Sequence, residues 1–163
     1  MPRQTTPVDP LHLEQFLPYR LSVLANIVSA TIAAAYAEKH QLSIPEWRVI
    51  AVLAREPGLS AAEVAERTAM DKVAVSRAVA GLLRRHRVVR SKASADRRRS
   101  HLELSAEGVA VYRQVVPSAR RYQRALLRAL STEEAHLLDS VLAKLLDRAR
   151  GLATPRIIRA NTH

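Results

Sequence analysis

Apolar residues recur at steps of three and four along most of this chain, the period of an amphipathic helix. Leu17, Leu21, Leu24, Val28, Ile32 and Ala35 form one such stripe, which Ile27 and Tyr36 widen. The stripe predicts a long helix over residues 11–39, with Pro18 splitting off the first turns. A doubled stripe, Leu137/Leu138, Val141/Leu142 and Leu145/Leu146, predicts a last helix over 132–150. Gly151 is its expected stop, with Lys144, Arg148 and Arg150 set against the dipole. Another helix is expected to open at Ser105 or Ala106, break at Pro117 and resume as far as Ala129. Strand character is confined to 88–93 and 101–105, the second alternating His101/Leu102/Glu103/Leu104.

Three helix starts carry the same polar signature. Ser43 and Glu46, Ser60 and Glu63, and Ser131 and Glu134 each have the spacing of a capping box. In that device the serine caps the third helical N–H, and the glutamate reaches back to the serine N–H. The first box opens a helix with Pro45 in its first turn, running to Arg55 and ending before Pro57-Gly58. The second opens a short helix over 61–68, with Val64 and Ala65 inward. After a turn at Ala69-Met70, Asp71 can cap a helix reaching His86, with Val75, Val79, Leu82 and Leu83 inward. Two short helices, a tight turn and two strands with a loop between them make a winged helix-turn-helix. The fold class expected is mainly α with a small β-wing, flanked by N- and C-terminal helices.

Composition narrows the picture. A chain of 163 residues fits one domain with a sizeable core. Aromatics are only 4%, so that core must be mostly Leu, Val, Ile and Ala. The net charge of +11 points to a polyanion. Much of it lies in residues 84–99, where eight basic residues face Asp96 alone. With no cysteine there is no disulfide, no thiolate metal site and no thiol switch. The six histidines lack the i, i+4 pairing of a helical metal site, so neither metal nor cofactor is expected. Residues 1–10, with Pro2, Pro7 and Pro10, read as a disordered arm rather than a signal peptide, and 152–163 as a basic tail. The longest apolar stretch, 21–37, holds Ser22, Asn26, Ser29 and Thr31 and is shorter than the ~20 residues of a membrane span. No membrane partner is expected, and the cytoplasm is the expected compartment.

The sharpest chemical inference is the helix after Asp71. Its N-terminal end presents Lys72, Val73, Ser76 and Arg77, which suit the major groove of double-stranded DNA. Ser60 can donate to a phosphate at the start of the preceding helix. Arg97, Arg98 and Arg99, in a loop held by the following strand, suit a narrow minor groove. Asp96 is expected to orient that loop by pairing with an arginine. The plainer alternative is that these charges merely form solvated faces.

A ligand site is suggested by Arg20, inside an apolar stripe, and by Arg48, next to the single tryptophan, Trp47. A buried arginine needs an anion. Tyr19, Tyr36, Trp47 and Tyr112 are candidates for an aromatic slot, and a small anionic aromatic compound would satisfy both features. Alternatively both arginines pair with internal acids such as Glu14, Glu38 or Glu46, and Trp47 is plain core.

These residues resemble a known family. Residues 59–108 are similar to the winged helix-turn-helix of MarR-type regulators, most specifically Asp96-x-Arg98 followed by Leu102-x-Leu104-Ser105-x-x-Gly108. The flanking helices extend the likeness to about residues 11–150. The resemblance implies a homodimer interlocked through its first and last two helices, a palindromic operator, and Arg98 entering the minor groove. Tyr19-Arg20-Leu21 and Pro45-Glu46-Trp47-Arg48-Val49 are similar to a subgroup that senses aromatic acids or their thioesters. The divisions expected are an arm at 1–10, a dimerisation helix at 11–42, a DNA-binding lobe at 43–104, dimerisation helices at 105–151 and a tail at 152–163. Broad apolar terminal helices with no other domain to cover them also favour a homodimer.

No catalytic residue is expected: there is no cysteine nucleophile, no G-x-S-x-G elbow, no phosphate-binding glycine loop and no H-E-x-x-H. The function expected is a dimeric, ligand-released transcriptional regulator, a repressor. The alternative is a sequence-nonspecific nucleoid or RNA-binding protein without ligand control.

Overall fold

A computed structural model describes residues 11–92 and 100–153. Helices α1 (Leu17–Ala34), α2 (Ala37–His40), α3 (Ile44–Arg55), α4 (Ala61–Thr68) and α5 (Lys72–Arg84) precede strands β1 (Val88–Lys92) and β2 (Ser100–Leu104). Helices α6 (Ala106–Leu127) and α7 (Thr132–Leu152) follow. The arm at 1–10, the wing loop at 93–99 and the tail beyond 153 lie outside the described residues. The chain divides into two compact units, 1–119 and 120–163.

The helix starts form as their side chains dictate. Ser43, Ser60 and Ser131 each accept from the N–H three residues on, and each glutamate accepts from the backbone N–H of its serine. Asp71 caps α5 by accepting from the Ala74 N–H at 2.8 Å. Each such cap satisfies a donor that the helix cannot, and losing one costs roughly 1 kcal/mol.

The first unit holds the core: Val49, Ile50 and Leu53 of α3, Val64 of α4, Val75, Val79 and Leu82 of α5, Val88 and Leu102 of the sheet, and Val111 and Val115 of α6. It is as poor in aromatic rings as the composition requires. β1 and β2 pair antiparallel from Val88↔Leu104 to Lys92↔Ser100. A third short edge joins where the Leu102 N–H donates to the Leu59 carbonyl and the Gly58 N–H to the Leu102 carbonyl. The sheet is thereby tied to the segment ahead of α4. In the second unit α7 has no buried residue, and its Leu137, Leu138, Val141, Leu142, Leu145 and Leu146 are all exposed.

Several boundaries differ from the periodicity. The expected helix over 11–39 begins only at Leu17, with Pro18 in its first turn, where proline lacks only a donor that has no partner anyway. It breaks at Ala35–Tyr36, and Tyr36 turns into the core. The apolar stripe of α1 is not a buried face: Leu17, Leu21, Leu24 and Ile27 are exposed, and only its last turns pack on the core, through Ile32 and Ala33. By length and composition alone α1 is apolar enough to cross a membrane, contrary to the expectation from stretch length. α5 stops at Arg84 rather than His86, because His86 adopts a left-handed φ of 54° that turns the chain into β1. α6 runs through Pro117 without a break; Pro117 is exposed, so water can satisfy the carbonyl that it leaves unpaired. α7 continues through Gly151 to Leu152.

Candidate nucleic-acid interface and adjoining pocket

The turn between α4 and α5 is made by Ala69, held at a left-handed φ of 51°, and by the Asp71 cap. It leaves α5 with one face in the core, formed by Val75, Ala78, Val79 and Leu82. The opposite face carries Lys72, Val73, Ser76 and Arg77, all exposed. Residues 73, 76 and 77 share a face because they are three and four apart. The Asp71 carboxylate already occupies the positive end of α5, so the cation available there to an incoming anion is Lys72.

Ser60 is less available than the sequence suggested. Its Oγ donates to Glu63 Oε2 at 2.6 Å and accepts from the Glu63 N–H at 3.3 Å. Its hydroxyl proton is therefore held inside the capping box, and a bond to phosphate requires it to leave Glu63. The wing strands are anchored by Leu102 in the core, and across them Ser91 Oγ donates to Glu103 Oε1 at 3.2 Å. His101 Nδ1 donates to the Gly58 carbonyl at 2.5 Å, tying β2 to the turn before α4. Arg90 is exposed on β1. Asp96, Arg97, Arg98 and Arg99 lie outside the described residues.

The second feature is a half-open cavity of about 120 Å³ lined by Ser29, Ile32, Tyr36, Ile44, Trp47 and Arg48. The rings of Tyr36 and Trp47 lie 5.5 Å apart and tilted, and Tyr112 of α6 stacks on Trp47 at 5.9 Å. Burial pushes the Tyr36 hydroxyl above its usual range, with Arg48 opposing, so at neutral pH it stays protonated. Arg48 donates from Nη2 to Ser29 Oγ across 3.4 Å, a long bond that leaves most of its donors uncommitted. Among the described residues no carboxylate pairs with it.

Of the four expected ligand residues, then, Trp47 and Arg48 line the cavity, Arg48 exposed at its open side rather than buried as expected, and Tyr112 backs Trp47. Arg20 does not: it is exposed on α1, nine residues or about 13 Å along the axis from Ser29. Tyr19 is exposed beside it. Glu46 does not pair with Arg20 or Arg48; it holds Arg85, across the α3–α5 contact. Ile32 belongs to the apolar stripe of α1, but nothing in the sequence points to Ser29 or Ile44 as cavity residues. Among the described residues no cluster of three or more His, Asp and Glu could hold a metal.

Comparison with known proteins bears on the fold and on the DNA-binding segment. Residues 40–99 match the model of the MarR family. The transcriptional regulator HosA of Escherichia coli O127:H6 is 27% identical over 110 residues, covering 68% of this chain and 82% of that protein. The crystal structure of a MarR/EmrR family transcriptional regulator from Acinetobacter sp. ADP1 superposes with a TM-score of 0.79 at 25% identity, over 86% of this chain and 99% of the other. Bordetella bronchiseptica BpsR, whose DNA binding is regulated by 6-hydroxynicotinic acid, superposes with a TM-score of 0.74 at 22% identity, over 85% of this chain and 98% of the other.

Proposed function

We propose that this chain, a transcriptional regulator of the MarR type rather than an enzyme, acts in the cytoplasm as a homodimeric repressor released from a palindromic operator by a small aromatic acid. The observation that carries the DNA-binding half is the division of α5 into a core face and an exposed face bearing Lys72, Val73, Ser76 and Arg77. Lys72 meets phosphate, while Ser76 and Arg77 reach base edges. Arg98 is the arginine that the family resemblance sends into the adjacent minor groove, and Arg97 and Arg99 beside it in the sequence add positive charge. Ser60 and the start of α4 face the backbone.

The dimer is supported by the exposed leucines of α7 and the exposed apolar residues of α1, which a second copy would cover. Two recognition helices then sit ~34 Å apart and meet successive major grooves.

The ligand reading is supported by the Arg48 guanidinium beside two aromatic rings, in a cavity with no carboxylate on that arginine among the described residues. The cavity matches one ring: an apolar cavity of roughly 150 Å³ takes up benzene. A single-ring acid therefore suits it better than a long thioester. That BpsR responds to 6-hydroxynicotinic acid is consistent with this class. A ligand pulling on Arg48 and Trp47 would move the start of α3, and with it α5.

The test is selection of duplexes from a random library by the purified protein. Enrichment of an inverted repeat supports the reading. Enrichment of nothing, with binding that depends only on salt, supports the nonspecific nucleic-acid binder instead.

A further inference from the structure

Among the residues of α5, one large apolar side chain points away from the core. Val73 is 59% exposed, whereas Val75, Val79 and Leu82 are buried. It sits in the first turn between Lys72 and the pair Ser76 and Arg77, on the face that the DNA-binding reading turns toward the major groove. It belongs neither to the core cluster of the described residues nor to the hydrophobics packed against that cluster. The major groove offers one apolar group, the C5-methyl of thymine. We infer that Val73 reads a thymine in each half-site through that methyl group.

This rests on the reading of α5 as the recognition helix and adds the base that it selects. A β-branched side chain in a helix keeps essentially one rotamer, so its contact costs little ordering entropy. Val73 and Arg77 are four residues apart, about 6 Å along the axis and less than two base-pair steps of 3.4 Å. If Arg77 takes guanine, the thymine methyl lies within two base pairs of that guanine. Polar neighbours alone would distinguish this thymine from cytosine by hydrogen bonding, but not from uracil. The valine makes the methyl itself the recognised group.

The experiment replaces each thymine of a selected duplex by deoxyuridine, which removes the methyl and no hydrogen-bonding atom. Affinity is measured by anisotropy for the wild type and for Val73→Ala. One thymine per half-site should matter, weakening the wild type about four-fold when replaced in one half-site and roughly fifteen-fold in both, the equivalent of one buried methyl each. Val73→Ala should be indifferent to that replacement, with an unchanged thermal melt because the site is exposed. A flat response to every deoxyuridine, or an equal loss in Val73→Ala, overturns the inference. In that case the duplex still outcompetes scrambled DNA, and the regulator reading stands. If selection enriches no sequence, both fall together.

Discussion

Glu46 near the start of α3 and Arg85 at the end of α5 form an ion pair between residues 39 apart in the chain. Glu46 also accepts from the Ser43 N–H at 2.9 Å and from the Ser43 hydroxyl at 3.0 Å, so one carboxylate caps α3 and holds the far end of α5. Its chain neighbours, Trp47 and Arg48, line the cavity. Gly81 makes the approach possible, since a Cβ there would clash with Glu46 Oε1.

Removing the carboxylate should therefore destabilise the fold. Glu46→Ala loses the glutamate half of the capping box and leaves Arg85, whose Nε is buried with no hydrogen-bond partner among the described residues, with no counter-charge. The expected cost is about 2 kcal/mol, below that of a fully buried pair because Arg85 is one-third exposed. Urea denaturation would show it; a loss within about 0.5 kcal/mol, the scatter of surface changes, would mean that the pair is incidental.

Gly81→Ala tests the same geometry through the sign of its effect. Alanine gains about 1 kcal/mol of helix propensity over glycine but forces the carboxylate off Arg85. In the wild type these oppose, so the change should be neutral or destabilising. In a Glu46→Ala background only the propensity gain remains, and Gly81→Ala should stabilise. Equal effects in both backgrounds would refute the coupling.

His40 predicts the pH dependence. It is 8% exposed at the end of α2, and burial lowers its pKa, aided by Lys39 and Arg87 and opposed by Glu107. Below its ordinary value of 6.5 the unfolded chain takes up a proton that the folded chain resists. Its contribution is thus fully present above that value and lost as the pH falls through it toward the lower folded pKa. Melting temperature should drop on acidification across that window, and the drop should be smaller in His40→Gln. Parallel profiles would remove His40 as the cause.

On α7, Leu142→Glu should shift the protein toward monomer in sedimentation velocity and weaken operator binding with it. A dimer unaffected by that change would place the interface elsewhere.

Local chemistry was legible in the sequence, and distant chemistry was not. The three serine boxes and the Asp71 cap act within three residues, so spacing alone revealed them. The α4–turn–α5 segment and the strand pair were readable for the same reason. Pro117 misled because proline's cost depends on whether water reaches the freed carbonyl, which spacing does not encode. The position of Arg20 is not legible because an apolar stripe does not say whether it is covered, and the first turns of α1 are exposed. Arg48 and Trp47 were found, but Ser29 and Ile32 reach the cavity only through the packing of α1 against α3. Nothing in the sequence joins residues 46 and 85, so the Glu46–Arg85 pair is legible only in the fold.

The most direct test of the whole account is operator binding by the wild type and Arg48→Ala, titrated by anisotropy at fixed salt with a panel of single-ring aromatic acids. The account predicts that one acid releases the wild type from the operator and that Arg48→Ala binds the same DNA but no longer responds. Release that persists in Arg48→Ala, or a wild type that no acid in the panel displaces, would contradict it.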